Sequence, residues 1–141
     1  MSEKINRDYV TNEYNVCFLI DNTGSMRKWI NIVKSLCNNL FTEIVKKYNK
    51  YIFYFGCVLY ADKFSIETDK NFIVDFTQDE NKFKNDLEKI ELQDGDDSAE
   101  DWVTGFEMTL EDLKWVNGTK LIFHIADAPA HGKIFNIAYL G

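Results

Sequence analysis

Very little in this sequence interrupts a fold. Proline occurs once, at Pro129, and there is no linker, low-complexity tract or internal repeat, so nothing divides the 141 residues into separate domains. No apolar run is long enough to span a bilayer, and the polar start from Met1 to Asp8 lacks the apolar core of a secretory signal. The expectation is a soluble, intracellular, cytoplasmic chain. Clustered positive charge is missing as well: 16 Lys and Arg are scattered among 23 Asp and Glu, and a net charge of -7 argues against a nucleic-acid partner. Cys17, Cys37 and Cys57 are odd in number, have no paired spacing and sit in apolar periodic segments. That pattern suits reduced core thiols better than disulfides or zinc ligands.

What is present suffices for one compact domain. At this length, with 45% apolar residues, a single core can bury roughly two thirds of the surface the unfolded chain exposes. A polar segment over residues 1–13 is expected to precede a domain over residues 14–141. Tyr14 to Ile20 is an apolar run without alternation, as in a strand buried on both faces of a parallel sheet, and it is expected to be central. From Ser25 the period changes. Met26, Trp29, Ile30, Val33, Leu36, Cys37, Leu40, Phe41, Ile44 and Tyr48 recur at helical intervals, with lysines on the other face.

Further strands are expected over residues 51–61 and 71–76, joined by a hairpin connection, the second of them an edge. Phe83, Leu87 and Ile90 mark a short helix. A better helix, capped by Ser98, carries Trp102, Val103, Phe106, Leu110 and Leu113 as its apolar stripe and ends at Asn117-Gly118. Residues 120–126 form another buried strand, and the stretch from Gly132 to Gly141 is too mixed to assign. Alternating strands and helices define an α/β class: a doubly wound, mostly parallel sheet with helices on both faces, abbreviated at its C-terminal side.

Ligands of such sheets bind beyond the carboxyl ends of the strands, where strand order reverses. Three loops at those ends carry unusual chemistry. Asp21-Asn22-Thr23-Gly24-Ser25 offers one carboxylate and two hydroxyls at alternate positions. Asp94-Gly95-Asp96-Asp97-Ser98-Ala99-Glu100-Asp101 is densely acidic. Asp127 follows the last strand. Carboxylates and hydroxyls without a cysteine or histidine cluster form the oxygen-only set that hard cations prefer, and Mg2+, at about 2.0–2.1 Å from its oxygens, retains several waters. One coordination position would stay open for an Asp or Glu carboxylate.

Asp21-x-Thr23-x-Ser25, after a first buried strand, resembles the metal-ion-dependent adhesion site of von Willebrand factor A (vWA) domains. Gly95-Asp96-Asp97-Ser98-Ala99-Glu100-Asp101 and Ala126-Asp127-Ala128-Pro129-Ala130-His131-Gly132 are similar to segments of the subgroup associated with atypical alpha-kinases. The resemblance spans about residues 14–132. It implies a vWA, Rossmann-like fold and a protein-binding role in which Mg2+ or Mn2+ bridges to a partner's acidic side chain. It further implies that Thr23 and Ser25 bind the metal directly, that Asp21 and Asp127 act largely through water, and that Asp97 takes a place usually held by threonine. The acidic loop has lost two glycines and the proline of that pattern, so Ser98 is an alternative to Asp97. A kinase domain can be expected elsewhere in a parent protein, but this chain has no kinase motif and is expected not to be an enzyme.

Plainer readings compete. Asp, Thr, Gly and Ser are ordinary turn residues, and Ser25 alone can simply start a helix. Glu100 and Asp101 need no metal, because each gains about 0.3–1 kcal/mol from the helix dipole in a first turn. Asp94, Asp96 and Asp97 are like charges whose repulsion a cation would relieve. His131 reads equally as an orienting partner of Asp127 or a solvated loop residue, and His124 as a satisfied core residue. Two functional alternatives remain. One is a haloacid dehalogenase-like, Mg2+-dependent phosphohydrolase with Asp21 as nucleophile, against which the immediate start of the long helix leaves no room for that class's flap. The other is a metal-free interaction module.

Overall fold

A computed structural model describes residues 12–22, 24–60, 73–91 and 102–127. They form β1 (Glu13–Asp21), a 3₁₀ turn (Gly24–Lys28), α1 (Ile30–Lys47), β2 (Ile52–Tyr60), β3 (Ile73–Thr77), α2 (Glu80–Glu88), α3 (Trp102–Glu111) and β4 (Thr119–Ile125). The sheet order is β3-β2-β1-β4. β1 runs parallel to both neighbours, while β3 pairs antiparallel to β2 with an irregularity between Phe55 and Cys57. Chain order therefore reverses between β1 and β4. That is the crevice position at which open α/β sheets place their ligands.

β1 is apolar without alternation because both of its faces are covered. Val16, Phe18 and Ile20 pack with Phe55, Cys57 and Leu59 of β2 against Ile30, Val33, Cys37 and Phe41 of α1 and Phe83 and Leu87 of α2. Cys17 and Leu19 point the other way, into a second core with Val58, Tyr60, Leu113 and the partly buried Phe106 and Met108. Phe41 stacks on Phe55 with ring centroids 4.0 Å apart, which fastens α1 to the middle of the sheet. β4, expected as a buried strand over residues 120–126, is instead an edge strand among the described residues, with no fully buried residue and with Leu121 and Phe123 exposed.

Other expectations about the helices need correction. The α-helix does not begin at Ser25. Residues 24–28 form a 3₁₀ turn closed by the Trp29 amide donating to the Met26 carbonyl at 2.8 Å, and Trp29 and Leu36 of the expected stripe are exposed. The buried line of α3 departs from the expected apolar stripe: Val103 and Leu110 are exposed and Gly105 and Thr109 are buried, while Phe106 is half-buried and Leu113, just past the helix, is buried as expected. Gly105 allows the helix to lie directly on Tyr60, where a Cβ would meet the ring at 2.7 Å. Finally, α3 ends at Glu111, well before Gly118.

Tertiary contacts take over from the helix at that point. Trp115 Nε1 donates to the Thr109 carbonyl at 2.7 Å, and the buried Asn15 side chain both donates to and accepts from the Val116 backbone at 3.0 Å. Gly118, with φ of 129°, lets the chain pass the start of β1, where a Cβ would lie 2.4 Å from the Glu13 carbonyl oxygen. The connection between β2 and β3, the expected Ser98 cap, the Trp102 side chain and the segment 132–141 lie outside the described residues.

Candidate functional site

The parallel pairing brings the carboxyl ends of β1, β2 and β4 to one rim. β1 ends at Asp21, fully buried and opposite Tyr60 in the ladder, and β4 ends at Ile125, two residues before Asp127. The turn after β1 and the turn after β4 touch: Ser25 Oγ donates to Asp127 Oδ1 at 3.0 Å. Asp21, Ser25 and Asp127 thus share the rim at the switch point, although Ser25 and Asp127 are separated by 102 positions in sequence.

The chain that leaves α2 starts from the same region. The Asn22 amide nitrogen of the backbone donates to the Tyr60 carbonyl at 2.8 Å, and its side-chain Nδ2 donates to the Glu91 carbonyl at 3.3 Å. Lys34 of α1 reaches the neighbouring Ile90 carbonyl with Nζ at 2.9 Å. Three residues later the acidic run begins, and three residues can span at most about 11 Å when extended. Thr23, the run from Asp94 to Asp101 with Asp97 and Ser98, and His131 lie outside the described residues. Their positions relative to Asp21, Ser25 and Asp127 therefore stay as expectations.

His124 corrects the expectation of a core histidine. It is exposed on β4, and its Nε2 shares a hydrogen bond of 2.7 Å with the hydroxyl of buried Tyr60. The Phe106 ring meets its imidazole edge-on with centroids 5.6 Å apart. Partial burial lowers the imidazole pKa below its ordinary 6.5, while the charge of Asp21 works in the opposite direction. Tyr60 escaped the sequence reading because only the β1–β2 register, which sets Asp21 opposite Tyr60, brings it to the site.

The side chains at this rim fit a hard divalent cation by chemistry. Asp21 and Asp127 supply carboxylates and Ser25 a hydroxyl, all oxygen donors of the type that Mg2+ and Mn2+ accept. No three His, Cys, Asp or Glu side chains gather into a metal-binding group among the described residues. The remaining expected donors, Thr23 and Asp97 or Ser98, are not among those residues.

Sheet order, crevice and motif together define a vWA-type domain, and comparison with known proteins agrees. The chain belongs to the von Willebrand factor A domain family, whose model matches residues 15–136. Domains of this family are generally protein-interaction modules rather than catalysts. Alpha-protein kinase vwkA of Dictyostelium discoideum is 31% identical over 116 residues, which cover 82% of this chain and 18% of that protein. The chain thus corresponds to a minor part of that relative's length. The open conformation of the pilus adhesin SpaC from Lactobacillus rhamnosus GG is also similar, with a TM-score of 0.46 and 18% identity, over 59% of this chain and 11% of that one. No helix among the described residues is long and apolar enough to cross a membrane.

Proposed function

We propose that this chain is a cation-dependent protein-binding domain that recognises an Asp or Glu carboxylate on a partner. Asp21, Thr23, Ser25, Asp127 and either Asp97 or Ser98 would hold one Mg2+, or Mn2+ in its place. The single observation that carries the reading is the 3.0 Å contact between Ser25 and Asp127 on the rim formed by buried Asp21. Two loops distant in sequence bring an alcohol and a carboxylate together at the rim where β1 ends on a second carboxylate, Asp21. When bound, the cation would offset that negative charge and provide a charge-assisted contact for an incoming carboxylate. The side chains themselves orient the site, because Asp21 is fixed at the end of a fully covered strand.

The anchoring of the Ile90 and Glu91 carbonyls by Lys34 and Asn22 supports the inclusion of the acidic run, which begins three residues later in sequence. A cytoplasmic location also suits the chain, whose three buried cysteines are all free thiols. The resemblance to a region of an alpha-protein kinase makes a kinase-containing parent protein part of this proposal.

Calorimetric titration with Mn2+ and an affinity capture with and without chelator test the reading. The wild type should bind one ion, chelator should release the captured partner, and Asp21→Ala and Ser25→Ala should each weaken Mn2+ binding about 10–100-fold without unfolding the chain. Partner capture that survives both substitutions and chelator would instead establish a metal-free module. Hydrolysis of an aryl phosphate with Mg2+, abolished by Asp21→Asn, would establish the phosphohydrolase. The direct passage from the 3₁₀ turn into α1 gives that enzyme no flap after Asp21.

A further inference from the structure

Tyr60 holds both of the loops that meet at the rim. Its backbone carbonyl accepts the Asn22 amide at 2.8 Å and so fixes the turn that leads from β1 towards Ser25. Its hydroxyl shares the 2.7 Å hydrogen bond with His124 Nε2, three residues before Asp127. β1 lies between β2 and β4, so this second bond passes over the central strand: Tyr60 is opposite Asp21 in one ladder, and His124 is opposite Leu19 in the other. One buried residue of β2 thereby restrains the Ser25 loop through its main chain and the Asp127 loop through its side chain.

The contact between Ser25 and Asp127 needs such support. It is exposed, and a single hydrogen bond open to water does not order the turn that carries it, because fixing each backbone residue costs as much as the bond contributes. Asp127 lies beyond Ile125, the last paired residue of β4, and among the described residues β4 has one neighbouring strand. Three residues of chain reach at most about 11 Å, so the place where His124 is held limits how far Asp127 can stray from Ser25. Packing by α3 stiffens that hold. Phe106 meets His124 edge-on with centroids 5.6 Å apart, and Gly105 lies so close to Tyr60 that a Cβ would stand 2.7 Å from its ring. A buried tyrosine hydroxyl requires some partner, but burial alone does not decide which strand supplies it. Here the partner is an exposed side chain on the strand that leads into Asp127.

We propose that Tyr60 and His124 are positioning residues of the cation site, their hydrogen bond holding Asp127 beside Ser25 before any cation arrives. This rests on the reading of the rim as a cation site. Both residues act through the strand ends that carry the oxygen donors, so less ordering remains for binding to impose.

The test uses the full chain with Tyr60→Phe, His124→Phe and His124→Gln. Phenylalanine removes the bond at either end and keeps a ring, whereas glutamine restores a polar group near the place of Nε2. In the metal-free protein, amide hydrogen exchange over residues 124–127 should become faster in both phenylalanine variants and stay near wild type in His124→Gln. Mn2+ affinity by calorimetry should fall about tenfold in each phenylalanine variant, and His124→Gln should stay within about threefold of wild type. The double phenylalanine variant should lose no more than either single one, since both remove the same bond. A merely structural role would lower the thermal midpoint and leave Mn2+ affinity within about twofold of wild type, which would overturn the proposal while leaving the cation site standing. Equal losses in His124→Gln and His124→Phe would also overturn it, by assigning the effect to packing of the imidazole rather than to its bond. Absence of Mn2+ binding by the wild type would remove the cation site and this proposal together. His124→Phe, at an exposed position, keeps the test decisive should Tyr60→Phe fold poorly.

Discussion

Gly105 sets the distance between α3 and the sheet. An alanine at an exposed helical glycine normally gains about 0.8–1 kcal/mol, but a Cβ here would lie 2.7 Å from the Tyr60 ring and 3.0 Å from its Cβ. Tyr60 has little freedom to yield, since it is buried and hydrogen-bonded to His124 at 2.7 Å. Overpacking at about 1–3 kcal/mol therefore outweighs the propensity gain. Gly105→Ala should lower the free energy of unfolding in urea by about 1–2 kcal/mol, and a variant as stable as the wild type would mean that the ring moves aside freely. The same residue explains why the buried face of α3 could not be read from the sequence. Hydrophobic periodicity counts Val103 and Leu110, whereas the buried line here runs through Gly105 and Thr109, chosen for small size. The available signal was a glycine inside a helical pattern, which points to close approach.

α2 shows which forces hold a short element. Its nine residues are too few to be helical alone. Asp79 caps it by accepting from the Lys82 amide at 3.1 Å, and Asp86 binds Lys82 and Lys89, whose hydrogen bonds and charge keep its carboxyl below the ordinary range. Such exposed pairs are worth only about 0.2–0.5 kcal/mol each. Packing is larger: Phe83 is fully buried among Phe18, Phe41 and Phe55. Phe83→Ala should cost about 3–5 kcal/mol in equilibrium unfolding, against well under 1 kcal/mol for Asp86→Asn. Similar costs for the two would transfer the anchoring of α2 from packing to charge. The existence of the elements was legible for the same reason that packing dominates. β1 is covered on both faces and α1 on one, so each carries the corresponding apolar pattern. The end of α3 was not legible, because Asn15 binds Val116 across 101 positions and no local signal reports that contact. Nor were the links from Asn22 to Glu91 and from Lys34 to Ile90, which depend on how α2 docks. The meeting of Ser25 and Asp127 was more accessible, since both follow strands at the switch point of the expected topology.

At the scale of the whole molecule, the three thiols report whether its layers open together. Cys17 faces the α3 side of the sheet, while Cys57 on β2 and Cys37 on α1 belong to the opposite core. All three are fully buried and free. Burial pushes the Cys17 and Cys37 thiols up to about 12 and Cys57 well above its ordinary value, so the native chain offers almost no thiolate at pH 8. An aromatic disulfide reagent must then wait for the protein to open. Cys17 and Cys57 lie on adjacent strands, with Cys17 opposite Gly56 and Phe18 opposite Cys57. Reaching either requires a helix layer to leave the sheet, and reaching Cys37 requires α1 to leave it. If both cores open as one unit, the three thiols should be modified at a common rate under mild urea at pH 8, with an opening free energy equal to that of global unfolding. A faster Cys37 would mean that α1 detaches alone, and a faster Cys17 that α3 does. Either result would replace the single cooperative unit with two layers of different stability on one sheet.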